Sequence, residues 1–332
     1  MYASPPGALV ISLDFELYWG LFDTGSLEDY RHRLLGARDA IPRLLDLFEE
    51  YSVAATWATV GFLMCESREE LFEVMPRELP TYDDPRISSY GLLEKIGADE
   101  EDDPFHFAPS LVEEIRRRPD QEIGTHTFSH YYCLDPGQSA EAFAADLDAA
   151  LRIGRRRGIE IKSAVFPRNQ INRDYMRICR EQDIVAVRGN PLTPWHRGAD
   201  FRRYNSFFHR AGRLLDAYLP LNGPRHIYPE LFLGAPPTNI PATRYFRPYS
   251  RPLAILEPRR RWLVKDELTT AAHLGGLCHL WWHPHNFGID TMRNLEILRG
   301  ILDHFTILRE AYGMESHNMS SLAKGQKASH RA

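Results

Sequence analysis

The sequence predicts an α/β fold of parallel strands in one barrel-sized domain, and three observations support this. Short apolar runs rich in Val and Ile alternate along the chain with longer segments whose apolar residues recur at helical spacing. The 332 residues exceed the usual length of one domain but suit a single α/β barrel. The composition, 43% hydrophobic and 26% charged, is typical of a globular protein with a large core.

The expected elements follow in chain order. Apolar runs predict strands at residues 8–13, 53–60, 122–125, 163–166, 184–187 and 277–282. Helical periodicity predicts helices at residues 27–51, 140–157, 172–182 and 291–312, and places residues 268–274 within another helix.

Three further segments show no such periodicity. Residues 64–106 are rich in acid and proline, which indicates an insertion of short helices and loops over the barrel mouth. Residues 190–250, rich in Pro, Arg and aromatic residues, are expected to be irregular. Residues 315–332 are polar and lack Phe, Trp and Tyr, so we expect a disordered tail after a catalytic domain of residues 1–314.

Charge and cysteine content restrict the class of protein. A formal net charge of −5 gives no electrostatic reason to expect nucleic acid as a partner. The four cysteines have no CxxC spacing, which favours reduced thiols. The N-terminal segment has no basic region, and its apolar run at residues 8–13 is too short for a signal peptide or a membrane span. We therefore expect a cytoplasmic protein without a membrane span; the oligomeric state is not indicated.

Polar clusters follow several predicted strands, where the active sites of parallel α/β proteins gather. Asp14 and Glu16 stand at i and i+2 just after the first strand, so both point to one face. Buried acids are costly unless they are paired or bind a metal. The alternative is that the strand has already ended and both acids cap the next turn.

His126 and His130 follow the third strand with HxxxH spacing, which places both imidazoles on one face of a helical turn. Two imidazoles and a carboxylate suit Zn²⁺ or a similar divalent ion, with Co²⁺ and Mn²⁺ as other possibilities. Two unrelated histidines are the alternative.

The remaining clusters follow the fourth and the last strand. Pro167 precedes Arg168 and Asn169, where a backbone N–H could support an oxyanion and a side chain could touch the substrate, unless this is an ordinary loop. Three histidines and two tryptophans occur at residues 279–285. A histidine there could be a general acid or a further ligand, and the tryptophans could stack on a sugar or belong to the core.

In this order and spacing, the four clusters resemble the polysaccharide deacetylase superfamily, also described as the chitooligosaccharide deacetylase homology domain and like carbohydrate esterase family 4, over roughly residues 8–312. The family's motifs, usually written TFDDG, H-S/T-x-x-H, R-x-P-x-G and L-x-H, read here SLDFE, HTFSH, VFPRN and LWWHP. The second motif matches fully. The segment around Trp57 resembles the family's second strand.

The resemblance implies a distorted (β/α)7 barrel and a metal-assisted hydrolysis that removes an N-acyl group, such as acetyl, from an amino sugar or a polysaccharide precursor. By position, it implies Asp14 as catalytic base and His283 as general acid. Glu16, His126 and His130 would hold the metal. Residues implied as oxyanion or substrate contacts are Arg168, Asn169, Arg188, Trp57 and Trp281.

Three departures from the family pattern keep alternatives open. Val165 replaces the Arg that orients the catalytic Asp, and Arg168 or Arg188 would have to replace it. Phe15 replaces an adjacent Asp, which leaves the roles of Asp14 and Glu16 exchangeable and allows a metal-free hydrolase of a cyclic ureide or formamide. Read literally, the last motif selects His279 instead of His283. A third possibility is an inactive barrel that binds a glycan.

Overall fold

The strands of this protein form a single parallel sheet. The structure, a computed structural model, describes residues 5–191, 200–204, 206–219 and 236–329. Within them the strands are β1 (Ala8–Phe15), β2 (Ala55–Thr59), β3 (Gln121–Thr125), β4 (Ser163–Ala164), β5 (Ala186–Gly189), β6 (Thr238–Pro241), β7 (Arg244–Tyr245), β8 (Leu277–Trp282) and β9 (Glu315–His317). Their order is β6-β5-β4-β3-β2-β1-β8-β7, and β9 pairs with the beginning of β1.

Two short strands close this sheet into a ring. β6 pairs with β5, whereas β7, which begins three residues after β6 ends, pairs with β8. The connection continues both ladders, because the Ala242 N–H donates to the Gly189 carbonyl and the Thr243 N–H donates to the His279 carbonyl. Residues 238–245 therefore act as one bent strand, and the ring has the seven strand positions of the expected distorted (β/α)7 barrel.

Helices surround the ring, as the alternation along the sequence predicts. They are α1 (Leu27–Glu50), α2 (Arg68–Val74), α3 (Pro109–Arg117), α4 (Ala140–Arg156), α5 (Met176–Glu181), α6 (Phe201–Tyr204), α7 (Phe207–Tyr218), α8 (Glu257–Leu274), α9 (Thr291–Tyr312) and α10 (Met319–Ser329). The beginning of α1 is fixed by a capping box between Ser26 and Asp29. Among the described helices, none is long and apolar enough to cross a membrane.

Side chains alternate along each strand between the surrounding helices and the barrel interior. In β1, Leu9, Ile11 and Leu13 belong to the main core beneath the helices. The intervening Val10 belongs to a second apolar cluster formed by inward-facing residues of the other strands. This second cluster fills the end of the barrel opposite the carboxyl ends of the strands, and it includes Val10, Ala58, Val165, Ala186, Ile240 and Leu277.

The expected disordered tail is wrong for the part that the structure describes. Residues 315–317 form β9, and α10 inserts Met319, Leu322 and Ala323 into the apolar cluster inside the barrel. The Met319 N–H also donates to the Thr56 hydroxyl at 2.8 Å. Composition alone missed this helix, because only a few apolar residues at helical spacing are needed to close the barrel floor. Residues 330–332 lie outside the described part.

Two other segments were expected as connections. Residues 64–106 contain α2 with short 3₁₀ helices and turns, as expected. They pack beside the loop that follows β3, where the Ser89 hydroxyl donates to the Ser129 carbonyl. The expectation that residues 190–250 are irregular is wrong where they are described, because they include α6, α7, β6 and β7. Residues 192–199, 205 and 220–235 lie outside the described part. The four cysteines are buried free thiols.

Candidate functional site

A polar layer lies above the apolar floor of the barrel. Ser12 and Asp14 face inward from β1, and Arg188 faces inward from β5 across the interior. The Arg188 guanidinium binds both oxygens of Asp14, at 2.5 and 2.7 Å, and it also donates to the Ser12 hydroxyl at 3.1 Å. Both members of the ion pair are buried. A planar guanidinium paired through two parallel bonds fixes the carboxylate in one orientation.

This pairing determines the charge of Asp14. Burial by itself raises the pKa of a carboxyl group, but the adjacent Arg188 charge, assisted by His126 and His283, holds the pKa of Asp14 below its ordinary value. Asp14 is therefore ionised at neutral pH. Of the two arginines that sequence analysis left open as the orienting group, it is Arg188 that lies against Asp14.

Glu16, His126 and His130 converge at the carboxyl ends of β1 and β3. Their potential ligand atoms all lie within 4.8 Å of one another, and all three side chains are buried. Oε2 of Glu16 is 3.3 Å from Nε2 of His126 and 3.1 Å from Nε2 of His130. Burial by itself raises the pKa of Glu16. The nearby His283, His126 and His130 lower it by more, so that the pKa of Glu16 is well below its ordinary value.

These three residues fit a divalent cation. Nδ1 of His126 lies 2.9 Å from the Val165 carbonyl, so Nδ1 carries a proton and donates it; in the neutral ring, Nε2 then presents a lone pair. A lone pair that faces a carboxylate oxygen is repulsive unless a proton or a cation lies between them. Burial lowers the pKa of His130, which favours its neutral, metal-binding form. One carboxylate and two imidazoles form the donor set that suits Zn²⁺.

The loop that carries both histidines is held in an unusual backbone conformation. Thr127 and His130 have φ values of 64° and 59°, in the left-handed region that non-glycine residues rarely adopt. The buried carboxylate of Asp146, on α4, accepts the N–H groups of Phe128 at 2.7 Å and Ser129 at 3.2 Å. Burial raises the pKa of Asp146 to about 6. These bonds hold the two histidines at the geometry seen in the site.

A glycine makes room for the Glu16 carboxylate. Gly20 ends the 3₁₀ helix Leu17–Gly20, which begins directly after Glu16. A Cβ atom built on Gly20 would lie 2.0 Å from the carboxyl carbon of Glu16 and 2.1 and 2.4 Å from its oxygens. Any side chain at position 20 would therefore displace the proposed acidic ligand.

His283 faces both carboxylates from the end of β8. Its Nε2 lies 3.5 Å from Glu16 and 3.8 Å from Asp14, and its side chain is more exposed than the carboxylates. The Asn286 amide nitrogen lies 3.3 Å from Nδ1 and so helps to orient the ring, with Nε2 toward the two carboxylates. The 3₁₀ helix Pro284–Gly288, which follows His283, packs directly on Gly36 of α1. A Cβ atom at position 36 would lie 2.0 Å from the Gly288 carbonyl oxygen.

The other two histidines of this segment occupy different positions. His279 is buried one layer below the carboxylates and its Nε2 lies 2.9 Å from the Ser12 hydroxyl. Burial and the Arg188 charge lower the pKa of His279 to about 3, so it stays neutral. The His285 ring stacks on His283 at 5.1 Å, and burial lowers its pKa to about 3. Of the three histidines, His283 is therefore the one whose ring nitrogen faces both carboxylates.

Arg168 and Asn169 border the site from the loop after β4. Both have a positive φ, 53° and 54°. Arg168 pairs with Asp23 and donates to the Gly20 carbonyl at 3.0 Å, so its charge is already engaged. Asn169 presents its side-chain oxygen to Arg188 at 3.3 Å. Arg168 thus braces the turn that holds Glu16, whereas Asn169 supports Arg188.

The two tryptophans expected near the substrate differ in position. Trp281 faces inward from β8: the Arg188 guanidinium lies over its ring at 4.4 Å, and the His283 ring is 5.7 Å away. The assignment of Trp57 to the site is wrong. Its ring faces outward from β2, is fully buried in the helical core against Phe48, and donates to Gln121. Successive strand residues face opposite sides, and on β2 the inward-facing neighbour is Ala58.

Several residues that position the site were missed from sequence. Asp146 is an acid among the apolar residues of α4, a pattern that signals a buried, bonded carboxylate. Gly20, Asp23 and Ser12 carried no such signal, because their roles depend on contacts with residues distant in sequence.

Comparison with known proteins identifies the family of this chain. The sequence model of a family described as polysaccharide deacetylase matches residues 17–187, just over half of the 332-residue chain. The match includes both site histidines, Arg168 and Asn169, but neither the two acids nor His283. No curated protein sequence matches the chain.

Solved structures share the fold at low sequence identity. A protein from Mycobacterium smegmatis described as a polysaccharide deacetylase has a TM-score of 0.61 at 14% identity, covering 99% of this chain and 93% of that one. A protein from Pseudomonas aeruginosa with the same description has a TM-score of 0.54 at 11% identity, covering 96% of this chain and 89% of that one. An allantoinase has a TM-score of 0.59 at 10% identity, covering 100% of this chain and 94% of that one. The chain belongs to the polysaccharide deacetylase family, and it is therefore a hydrolase of carbon–nitrogen bonds.

Proposed function

We propose that this protein is a metal-dependent N-deacetylase that releases acetate from an N-acetylated amino sugar. The observation that carries the proposal is the joint geometry of the site. A carboxylate and two imidazoles converge beside an ionised Asp14, and a histidine at the same opening faces both acids. Hydrolysis of an amide needs a polarised carbonyl, a base for the water and an acid for the leaving amine.

Glu16, His126 and His130 would hold the metal, with Zn²⁺ as the best match and Co²⁺ or Mn²⁺ as alternatives. A divalent metal bound there would lower the pKa of a water molecule and polarise the acetyl carbonyl. Their partners support the assignment of Glu16 as ligand and Asp14 as base. Glu16 faces both imidazoles, whereas both oxygens of Asp14 are bound by Arg188.

The protein's own groups would then move two protons. Asp14 accepts a proton from the attacking water, whose oxygen bonds to the acetyl carbon. Arg188 keeps Asp14 oriented and ionised before this step. In its imidazolium form, His283 donates its Nε2 proton to the amide nitrogen, so that the carbon–nitrogen bond breaks, a neutral amine leaves and a neutral imidazole remains. The acetic acid formed releases its proton to water and leaves as acetate. The backbone N–H of Arg168 is our candidate for an additional donor to the oxyanion.

The wall of the opening suits a sugar. Trp281 and Tyr245 lie with ring centroids 4.8 Å apart, and Tyr245 accepts a bond from the Asn286 amide at 2.7 Å. Aromatic faces bordered by polar groups bind the apolar faces of sugar rings. We propose a carbohydrate precursor in the cytoplasm as substrate.

Acetate release tests the proposal directly. Purified protein supplied with Zn²⁺, Co²⁺ or Mn²⁺ should release acetate from a panel of N-acetylated sugars. Asp14→Asn should lower kcat by roughly 100- to 10,000-fold, because the base is lost. The matched control is Asp266→Asn on α8, an exposed carboxyl that should leave kcat unchanged. Absence of acetate release with every metal and sugar would contradict the proposal.

A second candidate keeps the barrel but changes the bond. The structural similarity to an allantoinase over 94% of that chain favours hydrolysis of a cyclic ureide. Turnover of such a compound that survives exhaustive chelation would identify a metal-free hydrolase instead. If Asp14→Asn leaves the affinity for a glycan intact and the wild type shows no turnover, the barrel is a binding protein.

A further inference from the structure

One part of the chain is strongly basic although the whole protein is acidic. Residues 200–265 contain 12 Lys and Arg but 4 Asp and Glu, against a net charge of −5 for the full sequence. Two of those acids, Asp216 and Glu257, are buried. Arg244 and Arg260 are buried too, but among the described residues of this part nine other cations reach the surface against one acid, Asp200. This part therefore carries a local positive field on a negative protein.

The same part exposes large apolar side chains. Phe207 and Phe208 begin α7 with 78% and 79% of their surfaces exposed, and Ile255, just before α8, is 88% exposed. Trp262 of α8 is 50% exposed, and the Arg259 guanidinium lies over its ring at 4.6 Å. Exposed aromatic and aliphatic side chains among arginines are unusual on a protein that meets only water.

These residues lie on adjoining elements. Phe207 and Arg210 of α7 line one cleft with Arg247, and the Arg260 guanidinium, in the first turn of α8, donates to the Arg247 carbonyl. We call the set the basic–aromatic surface. Its members are Phe207, Phe208, Arg210, Ile255, Arg259 and Trp262.

The basic–aromatic surface borders the mouth of the barrel. Phe207 and Arg210 line one cleft together with Arg247. Arg247 follows β7 by two residues, at the carboxyl end of the strands, and the Tyr245 ring at the end of β7 is 6.1 Å from the His283 ring. The opening to His283 and the basic–aromatic surface therefore lie side by side.

We propose that the basic–aromatic surface docks the protein onto an anionic lipid bilayer, with the mouth of the barrel facing the headgroups. Arginines are attracted to anionic headgroups, while phenylalanine and tryptophan side chains insert at the boundary with the acyl chains. A soluble polyanion would satisfy the arginines but not Phe207, Phe208 and Ile255, so the exposed apolar residues favour the bilayer. This inference goes beyond deacetylation and does not depend on it.

Vesicle sedimentation tests the proposal with the full-length protein. We expect the protein to sediment with vesicles of phosphatidylcholine and phosphatidylglycerol in equal parts, and to bind vesicles of phosphatidylcholine alone at least about tenfold more weakly. Added salt should release it, since the attraction is screened. Replacing both phenylalanines (Phe207→Ser and Phe208→Ser) should weaken binding at least about tenfold, and replacing both arginines (Arg210→Ala and Arg259→Ala) by a similar factor.

A matched control separates this surface from general stickiness. Ile307 of α9 is also exposed, at 59%, but lies outside the basic–aromatic surface, so Ile307→Ser should bind vesicles like the wild type. Equal binding to both kinds of vesicle, or unchanged binding of the surface variants, would overturn the proposal. So would binding to a soluble anionic polysaccharide that the same variants lose while no vesicle binds. Because sedimentation needs no turnover, its outcome is independent of acetate release.

Discussion

The close approach of Gly20 to Glu16 gives a prediction that tests the proposed role of Glu16 as metal ligand. In Gly20→Ala the new Cβ would lie 2.0 Å from the Glu16 carboxyl carbon. Carbon atoms in contact are separated by about 3.5 Å, so the carboxylate must retreat by roughly 1.5 Å. Metal–ligand distances tolerate shifts of about 0.2 Å, and the ligand would therefore be lost. The side chain can rotate away, so the fold should remain.

We expect Gly20→Ala to weaken Zn²⁺ affinity by at least about 100-fold, which is the upper range for disturbing the surroundings of a ligand. Competition with a chelating dye measures this affinity, and thermal unfolding of the metal-free protein checks the fold. Gly300→Ala on α9 is the matched control, since a Cβ there meets nothing within 4 Å and metal affinity should be unchanged. Wild-type affinity in Gly20→Ala would show that Glu16 is not a ligand.

Three more predictions follow from the buried charges and the barrel floor. Arg188→Met removes the charge that opposes burial, so the pKa of Asp14 should rise and the acid limb of the kcat/KM profile should move to higher pH; an unmoved limb would contradict the pairing. The pKa of Asp146 is about 6 in the folded protein against an ordinary 3.8, so between these pH values the folded state binds a proton that the unfolded chain has already lost. The free energy of unfolding should therefore fall by about 3 kcal/mol as the pH rises from about 4 to about 6. Asp146→Asn has no such group, so urea unfolding of this variant should not show that fall. Met319→Ala should lower the free energy of unfolding by about 2–5 kcal/mol, whereas an unchanged value would fit a disordered tail.

The features predicted from sequence were those encoded locally. The six predicted strands and the long helices have periodic apolar residues, and each is present with shifts of a few residues at its ends. The position of Asp14 and Glu16 follows from their place at the end of a strand. The HxxxH spacing predicted that His126 and His130 approach each other, but the expected helical turn is wrong: residues 126–130 form a loop with positive φ at Thr127 and His130. The structure brings all four residues to one opening.

The features that sequence could not fix depend on distant contacts. Arg188 meets Asp14 across 174 residues of sequence, and only the inward direction of β5 selects it over Arg168. The direction of Trp57 was equally undetermined, because a buried strand is apolar on both faces and its register decides which side chains enter the barrel. The two short strands β6 and β7 escaped notice since their residues include Pro241 and carry no apolar run.

The apolar floor that α10 completes bears on how products leave the barrel. Among the described residues, Val10, Met319 and their neighbours fill the end of the barrel away from the carboxylates. If the proposed deacetylation is correct, we expect acetate and the free amine to leave by the opening that admits the substrate, one after the other. The product that remains longer occupies the entrance, and inhibition by that product should be competitive with the substrate.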